Sequence, residues 1–284
     1  MKEFSVLFVR RSLILYVASL VLLCVFVDRN AAAINYLNYL KGCEEYLQRF
    51  NNDHIRFNQQ KFVEGVLYYK KLAEYVPAFK AIAYANLGFC YCYLNEYAKA
   101  REAYRKAVEA APGLYTARLD IGLICIISRD FKVALDFLSS SDALIPETER
   151  YYQQLAKTFQ DEGKIDTYFQ IQQLIGRLNF DKVTLPYNLG YVHFMLGNYQ
   201  EAIVQFTRAI IEKKNFAYAY YYRGLCWRTL GRKDLYEKDS QVALVLKNDV
   251  KEVQKEDANI LRLHFSIPFL LPVISTQESD NKKI

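Results

Sequence analysis

The sequence predicts an all-α fold, a row of helix–turn–helix units stacked side by side. Three observations carry that expectation. Small residues return at a fixed interval: Gly88, Gly122, Gly190 and Gly224 are spaced 34, 68 and 34 apart, and the missing step falls on Ala156. Around them apolar residues follow i, i+3, i+4, i+7, as in Tyr84, Leu87, Gly88 and Tyr91, which is one buried helical stripe. The 284 residues include only 11 glycines and 6 prolines, too few for the tight turns of a sheet-rich fold.

At 52% hydrophobic and 24% charged residues the chain is composed to fold rather than to stay disordered. The net charge of +6 is mild. Its cations, among them Lys61, Lys70, Lys71, Lys99, Arg101, Arg105 and Lys106, fall on the polar faces of amphipathic helices. No interleaved recognition motif accompanies them, so nucleic acid is not an expected partner.

Residues 1–30 read as an N-terminal signal-anchor segment. Ser12 to Val27 is uncharged and almost wholly apolar, and as a helix it spans roughly 24 Å, a little short of a hydrocarbon core. Phe4 to Val9 adds apolar length, and Arg10 and Arg11 can snorkel. Lys2, Arg10 and Arg11 precede the run, which places the N-terminus in the cytoplasm and the rest outside it, as a single-pass membrane protein. The alternative is a cleaved signal peptide, for which Ala31-Ala32-Ala33 is an acceptable site, leaving a secreted or periplasmic protein. Residues 31–46 are expected to form a linker or capping helix. The six cysteines show no disulfide or metal spacing. Cys90 and Cys226 share a phase with Ile124 and Val192, as small core residues would. Reduced core thiols sit uneasily with an exported domain.

Residues 47–248 carry about six units. Leu87, Ile121, Leu155 and Leu189 precede the small slot, and Tyr91, Cys125, Phe159, His193 and Trp227 follow it by three. Further on come Ala100, Ala134 and Ala202, then Tyr104, Leu138 and Phe206, then Ala107, Ser141, Ala209 and Ala243. Pro112 and Pro146 are expected to close their units, and Gly163, Gly197 and Gly231 to mark the turn inside theirs. The best unit, from Ala81 to Pro112, fills every slot with Tyr84, Leu87, Gly88, Tyr91, Ala100, Tyr104, Ala107 and Pro112. This pattern at a period of 34 resembles the tetratricopeptide repeat family. The resemblance implies a right-handed superhelix of helix pairs, with Gly88 and Ala100 allowing close approach within a pair. Some units depart. Asn52, Asp53 and His54 stand where Leu and Gly belong; Tyr168 and Ile175 fill small slots of the fourth unit; Arg223, Tyr236 and Ser240 mark a terminal cap.

The resemblance also implies a function. In this family one face of each first helix lines a concave groove that takes a protein or peptide partner. The matching positions here, Phe89, Leu119, Leu123, Tyr187, Tyr191, Tyr221 and Leu225, are apolar and aromatic. The basic-and-asparagine clamp for a C-terminal carboxylate is absent from that stripe. The expected activity is that of a scaffold or assembly factor, membrane-tethered, or otherwise a soluble exported chaperone-like protein. No nucleophile elbow, zinc motif, calcium loop or phosphate loop is present, so neither catalysis, a cofactor, a metal nor a small-molecule substrate is expected. After Asn248 the pattern stops. Residues 249–284 are expected to cap the open end with Ile260 to Ile274, a run too short and Pro-broken to span a bilayer, and to finish in a polar tail.

Overall fold

A computed structural model describes residues 59–75 and 77–246. The chain divides into two compact units, and the described residues all belong to the one spanning Asn58–Pro272. The anchor, the linker and the C-terminal cap expected from the sequence lie outside the described residues. Within them the elements are helical and no strand occurs. They are α1 (Gln59–Tyr75), a short 3-10 turn (Pro77–Phe79), α2 (Lys80–Tyr93), α3 (Tyr97–Ala110) and α4 (Tyr115–Ile127). Then follow α5 (Phe131–Asp161), α6 (Ile165–Met195), α7 (Tyr199–Glu212), α8 (Ala217–Thr229) and α9 (Lys233–Leu246).

Close packing inside each pair explains the glycine period. A Cβ on Gly88 would stand 2.8 Å from three ring atoms of Tyr104, and one on Gly122 would stand 2.5 Å from Leu138 Cδ2. The small slot therefore lies under the large residue of the second helix, and Ala100 and Ala107, both fully buried, flank that contact. At Gly224 the nearest atom is 3.4 Å away, because Ser240 replaces the large residue.

The turns repeat as faithfully as the helices. Asn95, Arg129, Gly163, Gly197 and Gly231 all adopt positive φ, between 59° and 78°. Each sits in the same pair of hydrogen bonds. Glu96 N–H, for example, donates to the Tyr91 carbonyl (2.9 Å) and Asn95 N–H to that of Cys92 (3.0 Å). This is the left-handed C-terminal cap that glycine adopts at least cost.

The fourth unit departs from the expected stack. Pro146 does not close its unit; it lies inside α5, and Pro186 lies inside α6. Both helices run 31 residues, about 46 Å. Chain composition explains the continuity. The turn from α3 to α4 holds Pro112 and Gly113, with Leu114 N–H donating to the Ala111 carbonyl at 3.0 Å. The stretch Ile145-Pro146-Glu147-Thr148 has no glycine, and the closing position of the fourth unit is Phe180. Beside the proline, Thr148 Oγ1 donates to the Leu144 carbonyl (2.8 Å) and Arg150 Nε to that of Pro146 (3.3 Å).

The fifth unit consequently packs against the third. Tyr115 at the start of α4 reaches Asp181 in α6, Asp142 in α5 takes two hydrogen bonds from Arg208 in α7, and Phe131 meets Tyr191 with ring centres 6.5 Å apart. The fourth unit is left as the far half of the α5–α6 hairpin. Its sequence shows why it does not stack. Ala83, Ala117, Leu185 and Ala219 share one slot and are completely buried; in the same slot Tyr151 is 50% exposed. A tyrosine there, with Tyr168 and Ile175 in the other small slots, is too large for the standard contact.

Candidate functional site

The expected groove residues divide into two groups. Phe89, Leu119, Leu123 and Tyr187 are at most 3% exposed, so their side chains are core here and not open surface. Phe89 lies 4.7 Å from Tyr93 and 6.1 Å from Phe62, centre to centre. Tyr187 packs among Phe216 (5.0 Å), Phe206 (5.8 Å), Tyr222 (6.2 Å) and Tyr218 (6.4 Å). Helix α4 is buried nearly all round, with Arg118 and Ile127 its only part-exposed members. Around Tyr187 aromatic bulk is the physical reason, since its ring crosses from α6 to Tyr218 and Tyr222 on α8.

Tyr191, Tyr221 and Leu225 remain half-buried at the edge of the same cluster, with Phe194. Tyr222 brings them together: its ring is 5.2 Å from Tyr221, 5.4 Å from Tyr191 and 5.5 Å from Phe194. Sequence reasoning missed Tyr222, which lies outside the expected stripe. The surface these residues make is aromatic, with tyrosine hydroxyls as polar handles.

Buried polar residues also went unnoticed, although they share a phase. Asn86, Asp120 and Asn188 are each at most 1% exposed and are spaced 34 and 68 apart. A polar residue recurring at the repeat period inside apolar runs was the available signal. Asp120 and Cys92 stand beside the Tyr104 hydroxyl, whose pKa rises well above its ordinary value through burial and these neighbours. Neither amide atom of Asn188 has a hydrogen-bond partner among the described residues. Asp181 is closed off from solvent, and its Oδ2 accepts from Tyr115 OH (3.0 Å) and Arg177 Nε (3.1 Å). Burial pushes its carboxyl above the usual range, and Arg177 pulls it back.

In the terminal unit Arg223 fills a leucine slot and grips Asp239 with two hydrogen bonds of 2.8 Å, while Nη1 reaches Thr207 (3.0 Å). This planar, bidentate pair takes the place of an apolar contact. Cys90, Cys92, Cys125 and Cys226 are buried free thiols, and burial pushes Cys90 and Cys226 up to about 12, well out of reactive range. His193 is part-buried with its pKa lowered by burial. Among the described residues no cluster of His, Cys, Asp or Glu could hold a metal ion, and no helix is long and apolar enough to cross a membrane.

Comparison with known proteins agrees with this architecture. Two tetratricopeptide repeat family models match, over residues 81–114 and 187–235. Both matches leave out the fourth unit. The chain is 31% identical to Neutrophil cytosol factor 2 of Homo sapiens over 106 residues, which is 37% of this chain and 18% of that protein. The chain thus spans under a fifth of that relative's length. Among solved structures it is similar to MamA, with 20% identity and a TM-score of 0.50 over 72% of this chain and 99% of that one. The MamA RS-1 ArsTM double mutant gives 13% identity and a TM-score of 0.51 over 72% and 93% of the two chains. At these identities the structural likeness concerns the fold.

Proposed function

Because the chain is a tetratricopeptide-repeat protein, we infer that it acts by binding, as a scaffold or assembly factor for a protein or peptide segment, and not by catalysis. The carrying observation is the half-buried aromatic edge formed by Tyr191, Phe194, Tyr221 and Leu225 around Tyr222. Rigid aromatic rings provide a large contact area at small entropic cost, and a few such anchors dominate an interface. An apolar stretch of a partner suits this edge better than a free carboxylate. The reading includes tethering by Ser12 to Val27, with the repeats outside the cytoplasm; release by cleavage near Ala33 is the second form of it.

A displayed random-peptide library selected on the full chain tests the binding. Enriched peptides should be rich in apolar residues, and Tyr191→Ala with Leu225→Ala should weaken them by about tenfold or more, since one anchor is worth above ~1 kcal/mol. Lys70→Ala and Arg105→Ala, on the second helices, should leave binding unchanged. Equal binding by the Tyr191 and Leu225 variant would move the site elsewhere. For the tether, intact mass from the native source separates an anchored chain from one beginning near Ile34. A reporter placed after Ile284 that is active in the cytoplasm would overturn the orientation.

A further inference from the structure

Two prolines interrupt the long hairpin at the same place. Pro146 in α5 and Pro186 in α6 both line a cleft of about 240 Å³, bordered on its third side by the last turn of α7. Ile145 and Pro186 are buried at its base, and Pro146 and Ile211 are exposed at its lip. The cleft is smaller than the roughly 300–1,000 Å³ of pockets for drug-sized ligands, and it suits a single long side chain.

A proline inside a helix has no N–H for the carbonyl four residues earlier. The carbonyls so affected are those of Asp142 and Lys182, and both residues also line the cleft. The side-chain donors near Pro146 go elsewhere: Thr148 Oγ1 to the Leu144 carbonyl and Arg150 Nε to that of Pro146 itself. Neither the Asp142 nor the Lys182 carbonyl takes a hydrogen bond from a side chain of the described residues.

The charged groups of the cleft have their donors engaged and an acceptor left over. Arg208 donates to both oxygens of Asp142 (2.9 and 3.1 Å), and Lys182 to both oxygens of Glu149 (3.1 and 3.3 Å). Glu212 has no hydrogen bond or ion pair among the described residues. It is the last residue of α7, where the partial negative charge of the helix end adds to that of the carboxylate. Asp142, Glu149 and Glu212 against Lys182 and Arg208 leave the cleft negative. Every hydrogen bond and ion pair that these five residues make is to another described residue.

A ligand matched to this cleft brings several N–H donors and a positive charge at the end of an apolar stem. Arginine is such a side chain. Its methylenes can lie along proline and isoleucine, and its guanidinium spreads five donors in a plane. The ammonium of lysine is a point charge and cannot span carboxylate and carbonyl in the same way. We propose that this cleft binds an arginine side chain presented by a partner protein segment, with the guanidinium on Glu212 and the carbonyls of Asp142 and Lys182. The site goes beyond the reading above and shares no residue with the aromatic edge, so either can fail alone.

Ligand-observed NMR titration of the full chain in mild detergent tests the proposal, with the peptide acetyl-Ala-Ala-Arg-Ala-Ala-amide added to about 10 mM. It should bind about tenfold or more tightly than the same peptide with citrulline, which keeps the shape and loses the charge. Glu212→Gln should weaken it about fivefold or more. Pro146→Ala should weaken it about threefold, because its new N–H takes the Asp142 carbonyl. Glu109→Gln, an exposed carboxylate on α3, should change nothing. Circular dichroism should match in every variant, since all three sites are exposed. Equal binding of the arginine and citrulline peptides overturns the proposal, as does unchanged binding in Glu212→Gln or an equal loss in Glu109→Gln. Unchanged binding in Pro146→Ala would overturn the role of the Asp142 carbonyl. The n-butylguanidinium ion, the same head and stem without a peptide, should bind more weakly than the peptide; tighter binding would make the occupant a free cation and overturn the partner segment.

Discussion

Gly190 leaves the space that Phe206 fills: a Cβ on Gly190 would stand 2.8 Å from two atoms of that ring. Both residues are buried, and Phe206 is held by Tyr187 and Tyr222, so the ring has little room to yield. Gly190→Ala should therefore destabilise the protein by about 1–3 kcal/mol, as overpacking does. Gly224 provides the internal comparison. Its nearest neighbour is at 3.4 Å, so Gly224→Ala should be neutral or stabilising by up to about 1 kcal/mol through helix propensity. Urea midpoints of the two variants measure the contrast; equal effects would contradict the assigned packing.

Arg129 occupies, at φ 59°, the left-handed turn position that three later units give to glycine. A side chain there costs about 1–2 kcal/mol, partly offset by the chain entropy that glycine loses on folding. Arg129→Gly should raise stability by about 0.5–1 kcal/mol, and Gly197→Ala should lower it by a similar amount. Thermal melts showing a loss for Arg129→Gly would mean that its side chain contributes more than its backbone costs.

Asp181 should give the fold a pH dependence of unusual sign. Burial raises its carboxyl above the ordinary 3.8, with Arg177 and the Tyr115 hydroxyl opposing. The folded-state pKa is thus above the unfolded one. Its contribution is fully present below the unfolded value and is lost as pH rises through the folded value. Relative to Asp181→Asn, the wild type should gain stability as pH falls from 7 toward 4. Urea titrations of both proteins across that range check the slope, and a flat or reversed difference would sink the idea.

Tyr187→Ala should destabilise the fold by about 3–5 kcal/mol, the cost of emptying an aromatic core site. Tyr191→Ala, at the half-buried edge, should cost clearly less. Chemical denaturation of the two single variants separates them, and similar losses would make the whole aromatic edge core.

The fold was legible where one residue type has one structural use. Gly88, Gly122 and Gly190 each answer to a large partner sixteen residues on, and the period betrays the pairing. Gly163, Gly197 and Gly231 were legible as turns for the same reason. The long hairpin was hidden because Pro146 has two uses: it closes a helix where a glycine follows, as after Pro112, and is carried within one where none does. Phe89, Leu119, Leu123 and Tyr187 were legible as apolar positions of one phase, but their burial was not, because exposure is not a local property. Phase gives the direction of a side chain on its own helix, whereas closure depends on how far rings such as Phe216 and Tyr222 reach from the next one. Asn86, Asp120 and Asn188 were overlooked because polar residues in apolar helices read as scattered until they are aligned at the repeat spacing.

The α5–α6 hairpin also bears on how the chain reaches its native state. Tyr115 and Asp181, like Asp142 and Arg208, meet across 66 residues, about twice the repeat length. Closing a loop twice as long costs about 0.6 kcal/mol more in chain entropy. Elsewhere each unit can condense on the one just finished. Between the third and fifth units that local zippering is interrupted until both long helices are complete. The contacts that join the residues before Pro146 to those after Phe180 are thus of long sequence separation, which slows folding.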